Sequence, residues 1–480
     1  MPSDMIELSL PPQPVPNPAP ARPAEPMVPM PLGMMLLLGT QAFDAGRIRE
    51  AEAIASNLLR STPNDPRVLQ LGAIVAFRIG RRPLAIQFLE KAISLDPRNV
   101  LYHRNISEMY RQVGRLDDAL AAATHAVSLL PGDAIALHNL AVIHHERGEI
   151  DQGLASSRRA AALKPDMAGA HFAIAEAQLL RGEMAEGWEE YEWRFRIQGV
   201  PPLMPPALRQ EQPQWGGGRL GAGKRLMLVG DQGFGDVIQF SRYIPWARAQ
   251  TEEVFLATSK EMAPLIARLF PDLEIQMRWA DCRNFAAFSA LSGLPRLHGT
   301  RVETIPAPVA MPVDAVRVEA WAERLAEVLP VGLRRIGIVW AGRPTHKNDR
   351  NRSIAFGKLA EALGAVPGIA LVSLQKGDRE ADLKDYAGAA PLFDAAPHLS
   401  DYEDTAAAIA ALDLVVTVDT SVAHLAGAMG RPTWVLLPFT PDWRWLRERE
   451  DTPWYPSLRL FRQDAPAAWD APLAAVVAAL

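Results

Sequence analysis

Between residues 32 and 201 the chain alternates helical segments with turns at a fixed interval of 34 residues. Glycines separate the two predicted helices of each unit at Gly46, Gly80, Gly114, Gly148 and Gly182. Small residues follow five places later, at Ala51, Ala85, Ala119, Gly153 and Gly187. Prolines end the units at Pro63, Pro97, Pro131 and Pro165. A glycine permits a tight turn, a small residue permits close helix packing and a proline stops a helix, so the pattern predicts stacked pairs of antiparallel helices.

This pattern resembles the tetratricopeptide repeat. It predicts five repeats, at 32–65, 66–99, 100–133, 134–167 and 168–201. The fifth lacks the closing proline and ends in GWEEYEWRFRIQG, which predicts a capping repeat that docks onto the following region. Such arrays usually bind protein or peptide on their concave face. Asn105 and Asn139 are equivalent in successive repeats and are candidates to hold an extended peptide, although two ordinary polar surface residues would give the same pattern.

After a linker at 202–223, rich in proline and glycine, the period changes to short apolar runs alternating with helices. The runs lie at 224–230, 253–259, 335–342, 369–375, 413–419 and 432–438. Apolar strands that alternate with helices predict parallel sheets covered on both faces. The two sets predict two Rossmann-like domains, 224–328 and 329–480, with a cleft between them. Ligands of such sheets bind at the carboxyl ends of the strands.

The first strand-end loop carries glycines at Gly230, Gly233 and Gly235, followed by Asp236 at a helix start. This spacing is not the G-x-G-x-x-G of a dinucleotide site, which weakens a Rossmann oxidoreductase as an alternative. Asp236 is either a simple helix cap or a carboxylate presented for chemistry.

The second strand-end loop, residues 341–353, is called the basic loop. It contains His346 and the four fixed cations Arg343, Lys347, Arg350 and Arg352. A solvated surface loop has a similar composition, but the position at a strand end favours contact with an anion such as phosphate. Gln375 and Lys376, at the end of the next strand, are predicted to face the same cleft and to contact ribose or phosphate.

The third strand-end loop lies in the segment VTVDTSVAHLAGAMG. Its strand ends at Asp419, and a helix begins with Thr420, Ser421 and Val422. The free N–H groups and the positive dipole end of that helix suit a diphosphate. His424 is either a structural helix residue or part of the ligand site. Aromatic residues further on are candidates to stack on a sugar or base, or to pack between domains: Trp443, Trp445, Trp454 and Tyr455.

Together, the GDxI-type segment, WEEYEWRF, HKNDRNRSI, SLQKGD, VDTSVAHLAGA and PDWRWLREREDTPWYPSLRLFRQ resemble bacterial tetratricopeptide-repeat glycosyltransferase-like proteins. Their catalytic region is heptosyltransferase-like (glycosyltransferase family 9). The resemblance implies an α-helical solenoid followed by an α/β GT-B fold, with an acceptor-side domain and then a nucleotide-sugar-binding domain.

In the resemblance, Asp236 matches the general base of the heptosyltransferases. Asp419, Thr420 and His424 match their DTGxxHLAA segment at the donor diphosphate, with Ser421 in place of the usual glycine. Lys347 or Arg352 is the expected phosphate-binding cation. Gly233 and Gly235 are further donor-site candidates.

The resemblance implies that a hexose or heptose passes, with inversion, from a nucleotide-sugar to a hydroxyl of a protein or polysaccharide. No D-x-D segment occurs, so we expect a metal-independent enzyme without a cofactor, in which the nucleotide-sugar is a co-substrate. The repeats would recruit the acceptor or a partner protein. The alternative, to which Ser421 points, is a tetratricopeptide interaction scaffold that carries an inactive transferase-like domain.

Composition narrows the function classes. The net charge of −5 gives no general basic field, so nucleic acid is not an expected partner. The single cysteine, Cys282, excludes an internal disulfide, and no apolar run reaches the roughly 18 residues of a membrane span. Eleven prolines in residues 1–31 predict a disordered tail. We expect a bacterial, cytoplasmic protein.

Overall fold

The protein is described by a computed structural model that covers residues 30–197, 212–277, 282–346 and 348–480. Most of the predicted tail (1–31), the first part of the predicted linker (202–223) and Lys347 lie outside the described residues. The chain divides into two compact units, Met1–Arg98 and Asn99–Leu480. Within the described residues, no helix is both long enough and apolar enough to cross a membrane.

The first unit contains two helix pairs: Leu32–Asp44 (α1), Ile48–Ser61 (α2), Pro66–Arg78 (α3) and Arg82–Leu95 (α4). Both turns use the predicted glycine in the left-handed region, with φ of +73° at Gly46 and +83° at Gly80, which other residues adopt only at a cost. Asp65 caps α3 by accepting the Arg67 N–H at 2.9 Å.

The second unit begins with three further helix pairs. They are Val100–Gln112 (α5), Leu116–Leu129 (α6), Ala134–Glu146 (α7), Ile150–Leu163 (α8), Ala168–Leu180 (α9) and Met184–Tyr191 (α10). The small residues of the repeat are needed for close packing. A Cβ added at Gly153 would lie 3.0 Å from the Ala141 carbonyl oxygen, and one at Gly187 would lie 2.8 Å from the Leu179 side chain. The predicted helix-pair repeats are therefore confirmed.

Two separate parallel sheets follow. The first contains Arg225–Val229 (β1), Glu253–Ala257 (β2), Glu274–Gln276 (β3) and Ala287–Ala290 (β4) in the order β3-β2-β1-β4. The second has the order β10-β9-β8-β5-β6-β7. Its strands, all parallel, are Arg334–Val339 (β5), Ile369–Ser373 (β6), Leu392–Asp394 (β7), Leu414–Val418 (β8), Thr433–Leu437 (β9) and Leu458–Arg462 (β10). A helical solenoid followed by an α/β region, as predicted, is confirmed.

Helices connect these strands. In the first half they are Phe234–Phe240 (α11), Ile244–Gln250 (α12), Ala263–Leu269 (α13), Leu294–His298 (α14) and Ala315–Val328 (α15). In the second half they are Asp349–Arg352 (α16), Phe356–Gly364 (α17), Tyr402–Ala410 (α18), Ser421–Ala428 (α19) and Asp470–Ala479 (α20). Below, residues 224–328 are called the first half and residues 329–480 the second half of the α/β region.

The fifth repeat docks onto both halves through its aromatic end. Trp188 is buried, and its indole N–H donates to the Thr300 carbonyl of the first half at 3.2 Å. Its ring meets Trp443 of the second half edge to face, with centroids 5.1 Å apart, and Tyr191 also packs on Trp443. The predicted docking of the capping repeat is thus confirmed.

We expect Trp188→Ala to destabilise the second unit by about 3–5 kcal/mol, because it empties a large buried volume. Trp193→Ala, a matched loss of an indole that is only half-buried and stacks on His171, should cost about 1 kcal/mol. Urea denaturation of the two variants measures this difference, and equal losses would show that Trp188 does not anchor the repeat.

Candidate active site

The strand orders place one topological switch point in each sheet. In the first sheet β1 lies between β2 and β4, and in the second β5 lies between β6 and β8. Chain connections leave these strand pairs in opposite directions, which opens a crevice at their carboxyl ends where ligands bind. The three predicted loops are found there: residues 230–236 follow β1, the basic loop follows β5, and the start of α19 follows β8.

The two switch points meet where α11 packs on α19. A Cβ added at Gly235 would lie only 2.7 Å from Cδ2 of His424. The His424 ring is buried, its Nδ1 is 3.0 Å from the Tyr455 hydroxyl, and it stacks on Trp445 at 5.4 Å. Burial, together with the charge of Arg444, lowers the pKa of His424 to about 3. Gly235 and His424 therefore form a neutral, tightly packed contact between the halves.

Asp236 uses its two carboxylate oxygens differently. Oδ2 accepts the Gly233 N–H at 2.9 Å, which caps α11, and Oδ1 forms an ion pair with Arg444 of the second half. Burial raises the pKa of this carboxyl, although the Arg444 guanidinium opposes that effect. The helix cap and the charged group considered from the sequence are therefore both present in one side chain.

Arg444 lies at the centre of a buried charge cluster. Besides Asp236, its guanidinium contacts Asp442 at 2.8 Å and donates to Oε1 of Gln239 at 2.6 Å. Burial alone would raise the pKa of Asp442, but the adjacent Arg444 keeps it below the ordinary value. The reasoning from sequence did not single out Arg444, although it lies within the PDWRW segment that contributes to the resemblance.

The last two repeats reach this cluster. The Tyr191 hydroxyl lies 3.1 Å from Nε2 of Gln232 in the loop after β1. His145 of α7 experiences the charge of Asp442, but burial dominates and lowers its pKa to about 4. A second buried arginine, Arg242, donates to the Trp454 carbonyl at 3.0 Å and lies 4.9 Å from the Tyr455 ring centroid. The repeats thus form part of the wall of the candidate site.

The four aromatic candidates Trp443, Trp445, Trp454 and Tyr455 are at most 3% exposed. Trp443 packs on Trp188 of the fifth repeat and on Trp454, and Trp454 packs on Phe240 of the first half. Trp445 and Tyr455 pack on His424 of the second half, and the Tyr455 ring also faces Arg242 of the first half. Of the two roles considered from the sequence, packing between domains is the one that the contacts of Trp443, Trp454 and Tyr455 support.

The second switch point is spanned by Arg352. Its Nη1 donates to the Asp419 carbonyl at 3.1 Å, and a Cβ at Gly342 would lie 2.8 Å from its Cζ. Thr420 precedes α19 in an extended conformation. Burial and the nearby Asp442 carboxylate raise the pKa of Asp419 to about 6. This end of the site thus combines a cation, a helix start and a buried carboxyl whose pKa is raised.

Ser421, which by the resemblance replaces a glycine, is held in place. Its Oγ accepts a hydrogen bond from the Tyr402 hydroxyl at 2.7 Å, and Val422 beside it is buried. The exposed Arg343 lies 5.8 Å from the Phe234 ring centroid, so this cation of the second half reaches the helix that carries Asp236.

Three of the remaining candidates, Gln375, Lys376 and Asn139, hydrogen-bond to nearby backbone. Gln375 is buried and its amide is engaged by the backbone of Trp340 and Ala341, so it holds the start of the basic loop. Lys376 donates to the Ala396 carbonyl at 2.6 Å. Asn105 and Asn139 are half-buried in α5 and α7, where Asn139 donates to the Arg104 carbonyl at 3.2 Å and links neighbouring repeats.

Gly235→Ala should destabilise the second unit by about 1–3 kcal/mol, because the new methyl group overlaps the His424 ring. His424→Ala should cost less stability in the Gly235→Ala protein than in the unaltered protein, since it removes the overlap. Gly357→Ala is a matched control at the same position of α17, where nothing lies within 4 Å, and alanine there should be neutral or stabilising. A double-mutant cycle by chemical denaturation measures the coupling, and strict additivity of the two changes would contradict the contact.

Two parts of the chain match known protein families. Residues 355–466 match the model of glycosyltransferase family 9 (heptosyltransferase), and residues 36–100 and 106–167 match a tetratricopeptide repeat model. Protein FlbA of Caulobacter vibrioides (strain ATCC 19089 / CIP 103742 / CB 15) is 30% identical over 326 residues, which cover 62% of this chain and 52% of that protein. The chain thus spans about half the length of this relative.

Solved structures align with about a third of the chain. A crystal structure of MamA, 20% identical, covers 33% of this chain and 93% of its own with a TM-score of 0.30. A thermophilic TPR protein of Thermus thermophilus, TTC0263, is 24% identical and covers 35% of this chain and 92% of its own with a TM-score of 0.32. From the family models, the chain joins tetratricopeptide repeats to a glycosyltransferase family 9 domain in its C-terminal region.

Proposed function

We propose that this protein transfers a sugar from a nucleotide-sugar to an acceptor hydroxyl, with inversion and without a metal ion. The observation that carries the proposal is the meeting of two switch points, one with Asp236 and the other with the start of α19 and Arg352. A carboxylate on one side and anion-binding groups on the other are the two requirements of this reaction.

The donor diphosphate would bind at the start of α19. The first N–H groups of a helix have no intrahelical acceptors and lie at the positive end of its dipole. Arg352 and Arg343 would supply fixed positive charge to the leaving diphosphate, which is the role that a metal ion has in other transferases. Lys347 belongs to the same basic loop and is proposed as a further cation.

Asp236 would act as general base. It would take the proton of the acceptor hydroxyl while that oxygen attacks the anomeric carbon from the face opposite the nucleotide. The bond from the anomeric carbon to the diphosphate oxygen breaks, and the nucleoside diphosphate leaves with the electron pair. For this step the acceptor hydroxyl must approach Oδ1, so the Arg444 guanidinium has to share or leave that oxygen.

The pairing of Asp236 with Arg444 also favours a second candidate function. A carboxylate that is permanently neutralised by a buried guanidinium is a poor base, as in a transferase-like domain that has become part of an interaction scaffold. The two functions differ in one respect: only the enzyme turns over a nucleotide-sugar.

Acceptor binding is proposed for the repeats. Their first helices carry Asn105, Asn139 and His145, and the last of these lies beside the charge cluster at the candidate site. A protein or polysaccharide that follows these helices would therefore be delivered towards Asp236.

Asp236→Asn should reduce the turnover of a nucleotide-sugar, scored as transfer or slow hydrolysis, by at least about 100-fold, because an amide cannot accept the proton. Donor binding should persist. Asp231→Asn is the matched control, since Asp231 lies in the same loop but its oxygens accept hydrogen bonds from Ser292 at the end of β4.

A panel of UDP-, GDP-, ADP-, CMP- and dTDP-sugars, followed by product detection, measures both variants. Full turnover in Asp236→Asn would overturn the assignment of the base. No turnover of any donor by the unaltered protein would favour the scaffold.

A further inference from the structure

The glycine turns of the repeats make a second set of contacts with the α/β region. In repeats three, four and five these turns contain Gly114, Gly148 and Gly182. A Cβ added to them would lie 3.6 Å from Arg350, 2.8 Å from Phe439 and 3.4 Å from Val302, respectively. Three successive turns, 34 residues apart, therefore lie against three segments of the α/β region.

The contact at repeat three is polar and specific. Arg350 donates from Nη1 to the Gln112 carbonyl at 2.7 Å and from Nη2 to the Arg111 carbonyl at 3.4 Å. These are the last two residues of α5, where carbonyls have no donor within the helix. The Arg111 carbonyl also accepts the Gly114 N–H at 3.0 Å, so the shorter bond to Gln112 is the main contact of Arg350. A cation at the negative end of a helix dipole is favourable there. Arg350 thus acts as a C-terminal cap supplied by a different domain.

The same single helical turn, α16, carries Arg352 two residues later. Arg350 points to repeat three, whereas Arg352 donates to the Asp419 carbonyl at the second switch point. The turn is also held to the end of β5, because Ser353 donates to Asp349 at 2.8 Å and accepts the Gly342 N–H at 3.1 Å. The hydrogen bonds of Arg350 and Arg352, together with the helical turn between them, therefore join repeat three to the candidate donor site.

Repeat four holds a second loop next to the site. Thr440 Oγ1 donates to the Glu146 carbonyl at 3.3 Å, and this loop after β9 continues to Asp442 and Arg444. Glu146 and Arg111, whose carbonyls accept these two contacts, are themselves joined by an ion pair between α5 and α7. Both loops are thus fixed to two repeats that are linked to each other.

We propose that Arg350 is a positioning residue for the donor site. By fixing α16 to repeat three, it holds Arg352 where the donor diphosphate binds, so the repeats set donor affinity as well as recruiting an acceptor. The effect on donor affinity rests on the proposed function. The ordering of α16 by Arg350 does not.

The test compares Arg350→Ala, Arg350→Lys and the control Arg459→Ala in the full chain. Arg459 is another exposed arginine of the second half, and its partners Glu450 and Phe461 lie in that same half. Amide hydrogen exchange at residues 348–353 reports the order of α16 without any ligand. Calorimetric titration with UDP, GDP, ADP, CDP and dTDP reports binding at the donor site.

We expect Arg350→Ala to speed exchange at 348–353 and to weaken the binding of the preferred nucleoside diphosphate about 3- to 10-fold, the scale of one cation at a helix C-terminus. Arg350→Lys should retain much of both properties, and Arg459→Ala should change neither. The melting temperature of Arg350→Ala should stay close to that of Arg459→Ala, which separates positioning from general destabilisation.

Unchanged exchange and unchanged affinity in Arg350→Ala would overturn the inference. Faster exchange with unchanged affinity would also overturn it, because α16 would then be irrelevant to the donor. Faster exchange in a protein that binds none of the five nucleoside diphosphates would support the structural link and contradict the proposed function.

Discussion

The buried guanidinium of Arg444 is the interaction on which the second unit depends. An unpaired charge in a protein interior costs several kcal/mol, so Arg444 needs both of its carboxylate partners. Asp236 comes from the first half and Asp442 from the second. Trp443, the neighbour of Arg444, packs on Trp188 of the fifth repeat. One short segment therefore fixes the two halves and the fifth repeat with respect to one another.

This arrangement determines the electrostatics of the candidate site. Asp419 and Asp442 are close enough for the second to help raise the pKa of the first to about 6, after burial. A diphosphate would bring still more negative charge to this place. In the proposed function, the start of α19, Arg352 and Arg343 are the groups that offset it, and the two arginines belong to the basic loop. The contacts that hold this loop would then affect donor binding together with the groups that touch the donor.

Much of this architecture is predictable from sequence, because it follows from periodicity. The turn glycines and small residues of the repeats have the conformation and close contacts that their spacing predicts. Four strands lie outside the predicted apolar runs. Glu274–Gln276, Leu392–Asp394 and Ala287–Ala290 are too short to give a run, and Leu458–Arg462 interleaves arginine with apolar residues. The helical segment that begins near Asp236 is interrupted by a tighter turn at Ser241–Tyr243, before Pro245.

The site itself was predictable only in part. Topology brings the three strand-end loops together, so Asp236, Thr420 and Arg352 could be placed near one another from the chain order. Arg444 could not, since 208 residues separate it from Asp236 and nothing local indicates the pairing. Gln375 was predicted to face the cleft because it is a polar residue at a strand end, but its amide hydrogen-bonds to the adjacent backbone of Ala341.

Calorimetric titration of the unaltered protein and of Arg352→Ala with UDP, GDP, ADP, CDP and dTDP, without added divalent metal, tests the central claim most directly. If the two switch points form a donor site, at least one nucleoside diphosphate binds with 1:1 stoichiometry. Its affinity then falls about 10-fold or more in Arg352→Ala, because a charge-assisted contact is lost. No binding of any of the five, or equal binding by both proteins, would contradict the account.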